Sequence, residues 1–258
     1  MKHYNNAPET VIIFTSFGRD EIALRSLRSL MKALELVKHK VKVIVSDGTP
    51  EIDKIIELKK IENIDLIWTP GFTCAGTSRN IAVEYMKDKY SPEFICFVED
   101  DFEYTDEWYN VLVETTKKNF GVISPLGLAY GIFSASPHNL EKKRIHVDKE
   151  NNITSYIFGA IADQRFMYYS HYVNVLRFWD PDILGISYCQ TGMQTSRNVM
   201  RGYCGGIVRN LKLCWPIEGL ESTWSGGKRD VGPPAHDLDV KKFKVIQDTT
   251  LKNSYNLD

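Results

Sequence analysis

The chain has 258 residues, 43% hydrophobic and 25% charged, enough for one well-buried core and short for two independent domains. Its formal charge of -1 argues against a generally nucleic-acid-binding surface, which needs a basic excess. Five cysteines with no CxxC pair, an N-terminus MKHYNNAPET without an apolar h-region, and no apolar run near the roughly 18 residues that cross a bilayer predict a reduced, cytoplasmic protein with no membrane span.

VIIFTS (11–16) is a β-branched run, and DEIALRSLRSLMKALELV places Ala23, Leu27, Leu30, Leu34 and Val37 at helical spacing, opposed by Arg25, Arg28, Lys32 and Glu35. The strand-helix unit repeats as VKVIVS (41–46) with 51–61, IDLIW (64–68) with 77–89, and FICFV (94–98) with 106–118. Such alternation predicts a largely parallel sheet covered by helices on both faces. Cys96, inside FICFV, reads as a small buried thiol. Ligands of these sheets bind beyond the carboxyl ends of the strands, so the four following loops are expected to converge on one site.

Those loops are TSFGRD, SDGTPE, TPGFTCAGTSRN and VEDDFE. Acids, arginines and glycines together suit a polyanion held with a metal ion. TSFGRDEIALRSLRSL resembles the opening of A-type nucleotide-sugar glycosyltransferases of the family 2 kind. VIVSDGT resembles their second strand ending in Asp, GTSRNIAVEYM their Gly-x-x-Arg-Asn helix start, and FVEDDF their DxD-type metal motif. The four stand in the family's order over residues 10–118. The resemblance implies one α/β domain with a mixed, mainly parallel sheet and a Rossmann-like N-terminal half, donor and metal binding in 10–118, and acceptor binding in 119–258. It also implies a nucleoside-diphosphate sugar donor, UDP-type favoured, a carbohydrate or other hydroxyl acceptor, and a divalent cation.

A departing nucleoside diphosphate develops negative charge, which a hard divalent ion neutralises through carboxylate and phosphate oxygens. By resemblance, Asp101 is the direct metal ligand, Glu99 faces the donor ribose or sugar, and Asp100 points either way. The alternative for these acids is a cap cluster before the fourth helix. Asp47 would accept an imide N–H of the base, or else serve as an Asp-Gly turn residue; in the first case Asp47→Ala would harm nucleotide binding far more than folding. Gly76 and Arg79 open a helix where a guanidinium and free N–H groups can meet a diphosphate, with a structural salt bridge the alternative for Arg79. Thr15, Phe17 and Arg19, closing the first strand, would face the donor, although Arg19 also reads as a solvated first-turn residue. Asn80 reads as a helix-start residue.

In the second half, KRIHVDKENNITSYIFGAI predicts a hairpin around Glu150-Asn151-Asn152. RFWDPDILGISY resembles the Phe-Asp-Pro segment preceding the family's catalytic acid. With Arg197 and Gly202-Tyr203 aligned to the later pattern, the acidic positions fall on Gln190, Thr191, Gly192 and Met193. Neither Gln nor Thr can deprotonate an acceptor hydroxyl at neutral pH. Three explanations follow. The base of an inverting enzyme is another acid, with Asp180, Asp182, Glu218, Glu221 and Asp230 available; the enzyme retains configuration and the leaving phosphate helps take the proton; or the chain binds a sugar nucleotide without transferring it. A sugar nucleotidyltransferase is the alternative from another class, but TSFGRDE lacks its Gly-rich, Lys-bearing loop. GLESTWSGGKRDVGPPAHD (219–237) reads as a lid whose Lys228 and Arg229 cover the donor diphosphate, or as an exposed linker. By resemblance His236 is a second metal ligand, and its nitrogen would favour Mn²⁺ over Mg²⁺. Trp224, Tyr168, Tyr169 and Tyr172 offer flat faces to sugar rings, or plain packing.

Overall fold

The computed structural model describes residues 7–71, 75–118, 122–124, 144–148, 153–156, 164–177, 179, 194, 197, 201, 205–208 and 213–217. The first four strand-helix units form close to where the hydrophobic spacing puts them: β1 (Thr10–Ser16), α1 (Asp20–Leu34), β2 (Val41–Asp47), α2 (Ile52–Lys59), β3 (Ile64–Trp68), α3 (Ala75–Lys89) and β4 (Phe94–Glu99). A short β5 (Phe102–Tyr104) follows, then α4 (Trp108–Lys118) and β6 (Val122–Ser124). The expected hairpin is present as β7 (Arg144–Asp148) paired antiparallel with β8 (Ile153–Tyr156). Then come β9 (Arg165–Tyr168), a helical turn (Tyr169–His171) running into a π-turn (Tyr172–Leu176), β10 (Gly205–Val208) and β11 (Cys214–Pro216).

Nine strands make one mixed sheet in the order β3-β2-β1-β4-β9-β6-β10-β8-β7. β1 to β4 are parallel as expected, whereas β9 inserts antiparallel between β4 and β6. β5 pairs with β11 in a separate two-stranded ribbon. Neither β9 nor this ribbon is visible in the strand-helix alternation, because both depend on pairing between segments distant in sequence.

Successive strand residues point to opposite faces, and the core divides accordingly. Ile12, Phe14, Val43, Val45, Phe94, Cys96 and Val98 pack with Leu27 and Leu30 of α1, Leu58 of α2 and Leu112 of α4. Val11, Ile13, Ile44, Ile95 and Phe97 pack on the other face with Ala82, Val83 and Met86 of α3 and with Trp179. Burial raises the Cys96 thiol well above its usual range, which makes it the inert core residue its setting predicts. Among the described residues no helix is long and apolar enough to cross a membrane.

Candidate donor site at the strand ends

Parallel register aligns the carboxyl ends of the strands: Ser16 lies beside Asp47, and Thr15 beside Glu99. The expected juxtaposition of the first, second and fourth loops therefore holds. Two acidic groups sit on this edge, and their surroundings differ.

Asp47 and Lys54 are both sealed, with 0% side-chain exposure, and the Lys54 Nζ lies 2.9 Å from the Asp47 Oδ2. The ammonium donates its three protons to Ser16 Oγ at 2.7 Å, Gly18 O at 2.7 Å and Thr49 Oγ1 at 3.1 Å, so its contact with Asp47 is an ion pair. The other carboxylate oxygen accepts the Thr49 N–H at 2.7 Å. The Asx-turn reading of Asp47 is thus present in the structure. Moreover, the expectation that Asp47→Ala would largely spare folding is corrected: the substitution strands a buried ammonium.

Lys54 also organises the first loop, because its acceptor at Gly18 precedes Arg19. Gly18 (φ 61) and Arg19 (φ 51, ψ 49) are consecutive left-handed residues at the entry to α1. Arginine pays about 1–2 kcal/mol for that conformation, offset here by the Gly18 N–H on Thr49 Oγ1 at 2.9 Å and the Ala23 N–H on Arg19 O at 2.8 Å. The turn aims the guanidinium at the fourth strand end. Arg19 Nη1 donates to Asp101 Oδ2 at 2.8 Å, and Nη2 pairs with Asp100 Oδ1. Side-chain exposure is 9% for Arg19 and 4% for each aspartate, which corrects the solvated first-turn reading. Burial works against the Arg19 charge, but Asp100 and Asp101 outweigh it and hold the guanidinium above its ordinary range.

These acids do not cap the fourth helix. Asp100 and Asp101 form the turn between β4 and β5, and α4 begins only at Trp108. Among the described residues no three His, Cys, Asp or Glu side chains form a metal cluster. The hard carboxylate oxygens of Asp100 and Asp101 suit a divalent cation by their chemistry, and in the structure they are neutralised by the two ends of the Arg19 guanidinium. Glu99 is the more open acid, with 28% side-chain exposure, and lies 3.7 Å from Arg79 Nη2.

Gly76 and Arg79 are both buried in the first turns of α3. The salt bridge read as the alternative for Arg79 is present, and its guanidinium also lies 5.2 Å from the centroid of the Trp179 ring. Arg165 approaches the same ring at 5.2 Å. Asn80 is not an ordinary helix-start residue: its amide donates to Trp179 O at 2.7 Å and accepts the Trp179 N–H at 2.9 Å. Thr15 is buried within β1, and Phe17 is 36% exposed at the loop.

Tyr168, Tyr169 and Tyr172 pack into the protein. Tyr168 packs at a tilt on Phe94, and Tyr172 lies near Phe97 and Trp179. Just after the π-turn, Arg177 takes φ 60 and ψ -163, a region that glycine alone adopts freely. Such strain costs about 1–3 kcal/mol and persists only where surroundings hold it. Here the Arg177 N–H donates to Tyr172 O at 2.7 Å, and Gln194 Nε2 donates to Arg177 O at 2.8 Å.

Asp180, Asp182, Glu218, Glu221, Asp230, Lys228, Arg229, His236, Trp224, the segment 219–237 and Gln190 to Met193 lie outside the described residues. Sequence reasoning missed Lys54, Trp179 and Arg165. Lys54 did carry a signal: it falls with Ile55 and Leu58 on the buried stripe of α2, where a lysine needs an acidic partner. Trp179 and Arg165 carried none, since their partners lie about a hundred and about fourteen positions away in sequence.

No protein-family model matches the sequence, and no curated protein sequence matches it. Solved structures do. The chain superposes on S. aureus TarS 1-349 with TM-score 0.59 and 13% identity over 81% of this chain and 60% of that one. TarS 1-349 in complex with UDP-GlcNAc gives TM-score 0.60 and 13% identity over 86% of this chain and 62% of that one. The complex with UDP gives TM-score 0.59 and 12% identity over 91% and 70%. TarS is a family 2-like glycosyltransferase of A-type fold. This chain has the A-type glycosyltransferase fold. It spans about 60% of the length of the TarS 1-349 chain, so the likeness concerns architecture, and activity has to be argued from the site.

Proposed function

We propose that the chain transfers a sugar from a nucleoside-diphosphate donor, UDP-type favoured, to a hydroxyl acceptor, with the donor bound beyond the ends of β1, β2 and β4. One observation carries this reading: Asp100 and Asp101 share the Arg19 guanidinium at that edge of an A-type fold. The TarS complexes with UDP and UDP-GlcNAc support the donor class.

In this reading Asp101, with Asp100, would hold a divalent cation, Mn²⁺ favoured, and His236 would be a further ligand. Such an ion neutralises the diphosphate as it departs. Arg19 keeps the two carboxylates together before donor arrives, so their mutual repulsion is already offset. Glu99 is the acid with an exposed face to offer a ribose or sugar hydroxyl. Arg79 fixes Glu99 from the buried side, and Phe17 offers an exposed ring beside the loop that Lys54 holds. Inversion would require a carboxylate to accept the hydroxyl proton, with Asp180, Asp182 and Glu221 as candidates.

The test is a panel of sugar nucleotides with Mn²⁺, with nucleoside diphosphate and pyrophosphate measured as products. Release of nucleoside diphosphate with a glycosylated acceptor is the expected result. Pyrophosphate release would replace this reading with nucleotidyl transfer, and tight binding without turnover would replace it with a noncatalytic sugar-nucleotide-binding role.

A further inference from the structure

Lys54 lies on the buried stripe of α2, but the groups its ammonium meets belong to the strand ends: Ser16, Gly18, Asp47 and Thr49, with Asp20 of α1 at 3.9 Å. Asp47 has no exposed side-chain surface, one of its oxygens facing Lys54 and the other accepting the Thr49 N–H. It serves here as a counter-ion and presents no oxygen to a ligand. A sealed ion pair is weak evidence for stability, because apolar residues of similar volume often do as well. Its consequence has to be sought in what it holds.

It holds the Gly18–Arg19 turn. Gly18 O accepts from Lys54, and the Gly18 N–H donates to Thr49 Oγ1, which Lys54 also meets. Both residues are left-handed, a conformation that arginine keeps only where its surroundings hold it. A relaxed Arg19 would turn its side chain in another direction, whereas the held one brings its guanidinium onto Asp100 and Asp101. At that far end the clasp is incomplete, since Asp100 Oδ2 is buried without a hydrogen-bond partner. A metal cation entering there meets the guanidinium as a competitor of like charge.

We infer that Lys54, with Asp47 as its counter-ion, is a positioning residue for the cation site: it holds the Gly18–Arg19 turn and thereby sets how strongly Arg19 competes with a divalent cation for Asp100 and Asp101. The cation part of this inference rests on the glycosyl-transfer reading; the hold on Arg19 does not.

Two measurements on the full chain test it. The parent is compared with Asp47→Asn combined with Lys54→Met, which strands neither charge, and both proteins are also made with Arg19→Gln. The first measurement is phenylglyoxal labelling of each arginine, followed by peptide mass spectrometry without added metal. In the parent Arg19 should label more slowly than the exposed Arg25 and Arg28; in the double variant it should label about tenfold faster, the scale of one lost charge-assisted contact. The buried Arg79 and Arg165 should stay protected in both proteins. The second measurement is the Mn²⁺ dissociation constant, read from the paramagnetic resonance of free Mn²⁺. It should fall about tenfold in the double variant, and by less than about twofold when the same two changes are made beside Arg19→Gln, because residues acting through one another are not additive.

Unchanged labelling of Arg19 would overturn the hold. Faster labelling of Arg79 and Arg165 along with Arg19 would assign Lys54 to the fold as a whole and overturn its positioning role. A full-sized Mn²⁺ effect beside Arg19→Gln would show a route that bypasses Arg19, and selective labelling of Arg19 with no gain in Mn²⁺ affinity would remove the competition; either result overturns the inference as stated. If the parent bound no Mn²⁺, the metal-dependent reading would fall, and selective labelling of Arg19 would still establish what Lys54 holds.

Discussion

The second and fourth strands both end in acid on the same edge of the sheet, yet their fates differ. Asp47 is closed off by a lysine that has no exposure, and its carboxylate also closes a turn. Asp100 and Asp101 are gripped instead by Arg19, a residue at the mouth of a loop, and the neighbouring Glu99 keeps an open face. An acid at a strand end is therefore a ligand candidate only if its counter-ion can be exchanged. Lys54 is fully buried among Asp47, Ser16, Gly18 and Thr49, with Asp20 at 3.9 Å, whereas Arg19 is shared by two aspartates and keeps 9% side-chain exposure.

The largest effect expected from this contrast is at Lys54. Lys54→Met leaves the Asp47 charge buried and unpaired and should cost about 3–5 kcal/mol in urea unfolding, while Asp47→Asn combined with Lys54→Met should recover most of it. A near-neutral single variant would mean that Asp47 reaches solvent, and would return it to the list of open ligand groups.

Arg19→Gln should cost less, about 1–3 kcal/mol, because the glutamine amide can still donate to one of the two aspartates that lose the shared guanidinium. The sharper readout is cation linkage. Mn²⁺ at about a hundred times its dissociation constant adds about 2.7 kcal/mol, and the variant should reach that gain at lower Mn²⁺ than the parent. Equal Mn²⁺ dependence of the melting temperature in both proteins would show that Arg19 and a cation do not share the carboxylates.

Asn80→Ala removes both hydrogen bonds to the Trp179 backbone and should cost about 1–3 kcal/mol, with a red shift of tryptophan emission as the ring loosens. If emission and stability both stay constant, the clasp does not hold Trp179.

Smaller still is Asp65, on the edge strand β3. Burial opposes its charge, but Lys42, Tyr90 and Tyr85 outweigh that and hold its carboxyl below the usual range. A depressed carboxyl stabilises above the unfolded value and loses that stability as pH falls through the folded one. Asp65→Asn should therefore cost about 1–1.5 kcal/mol at pH 7, and the difference from the parent should begin to shrink as pH falls below about 4 and vanish only below the depressed folded value. A difference independent of pH would place the effect in packing. At the bottom of the scale, Arg25 pairs with Glu103 while 59% exposed, and Arg25→Ala should change stability by about 0–1 kcal/mol.

The alternation of strands and helices over the first 118 residues was legible because each element announces itself within its own segment. The period of apolar residues in DEIALRSLRSL and the continuous run FICFV need no distant partner to be read. The order of the motifs likewise placed Glu99, Asp100 and Asp101 at the carboxyl-end edge of the parallel strands. The insertion of β9 between β4 and β6 was not legible, since RFMY pairs with two strands that both lie more than forty residues earlier in the sequence. Nor was the role of Asn80, whose partner Trp179 lies 99 positions on.

What the sequence determined by itself was the parallel α/β half, the edge at the carboxyl ends of its strands and the acids on that edge, because hydrophobic period and loop chemistry are local properties. Only the tertiary structure decided which acid is neutralised and by what. It gave Asp47 to Lys54 and gave Asp100 and Asp101 to Arg19, and it brought two guanidiniums to the Trp179 ring. Charge pairing depends on separations of a few ångströms and on the exclusion of water, and neither exists until distant segments have packed together.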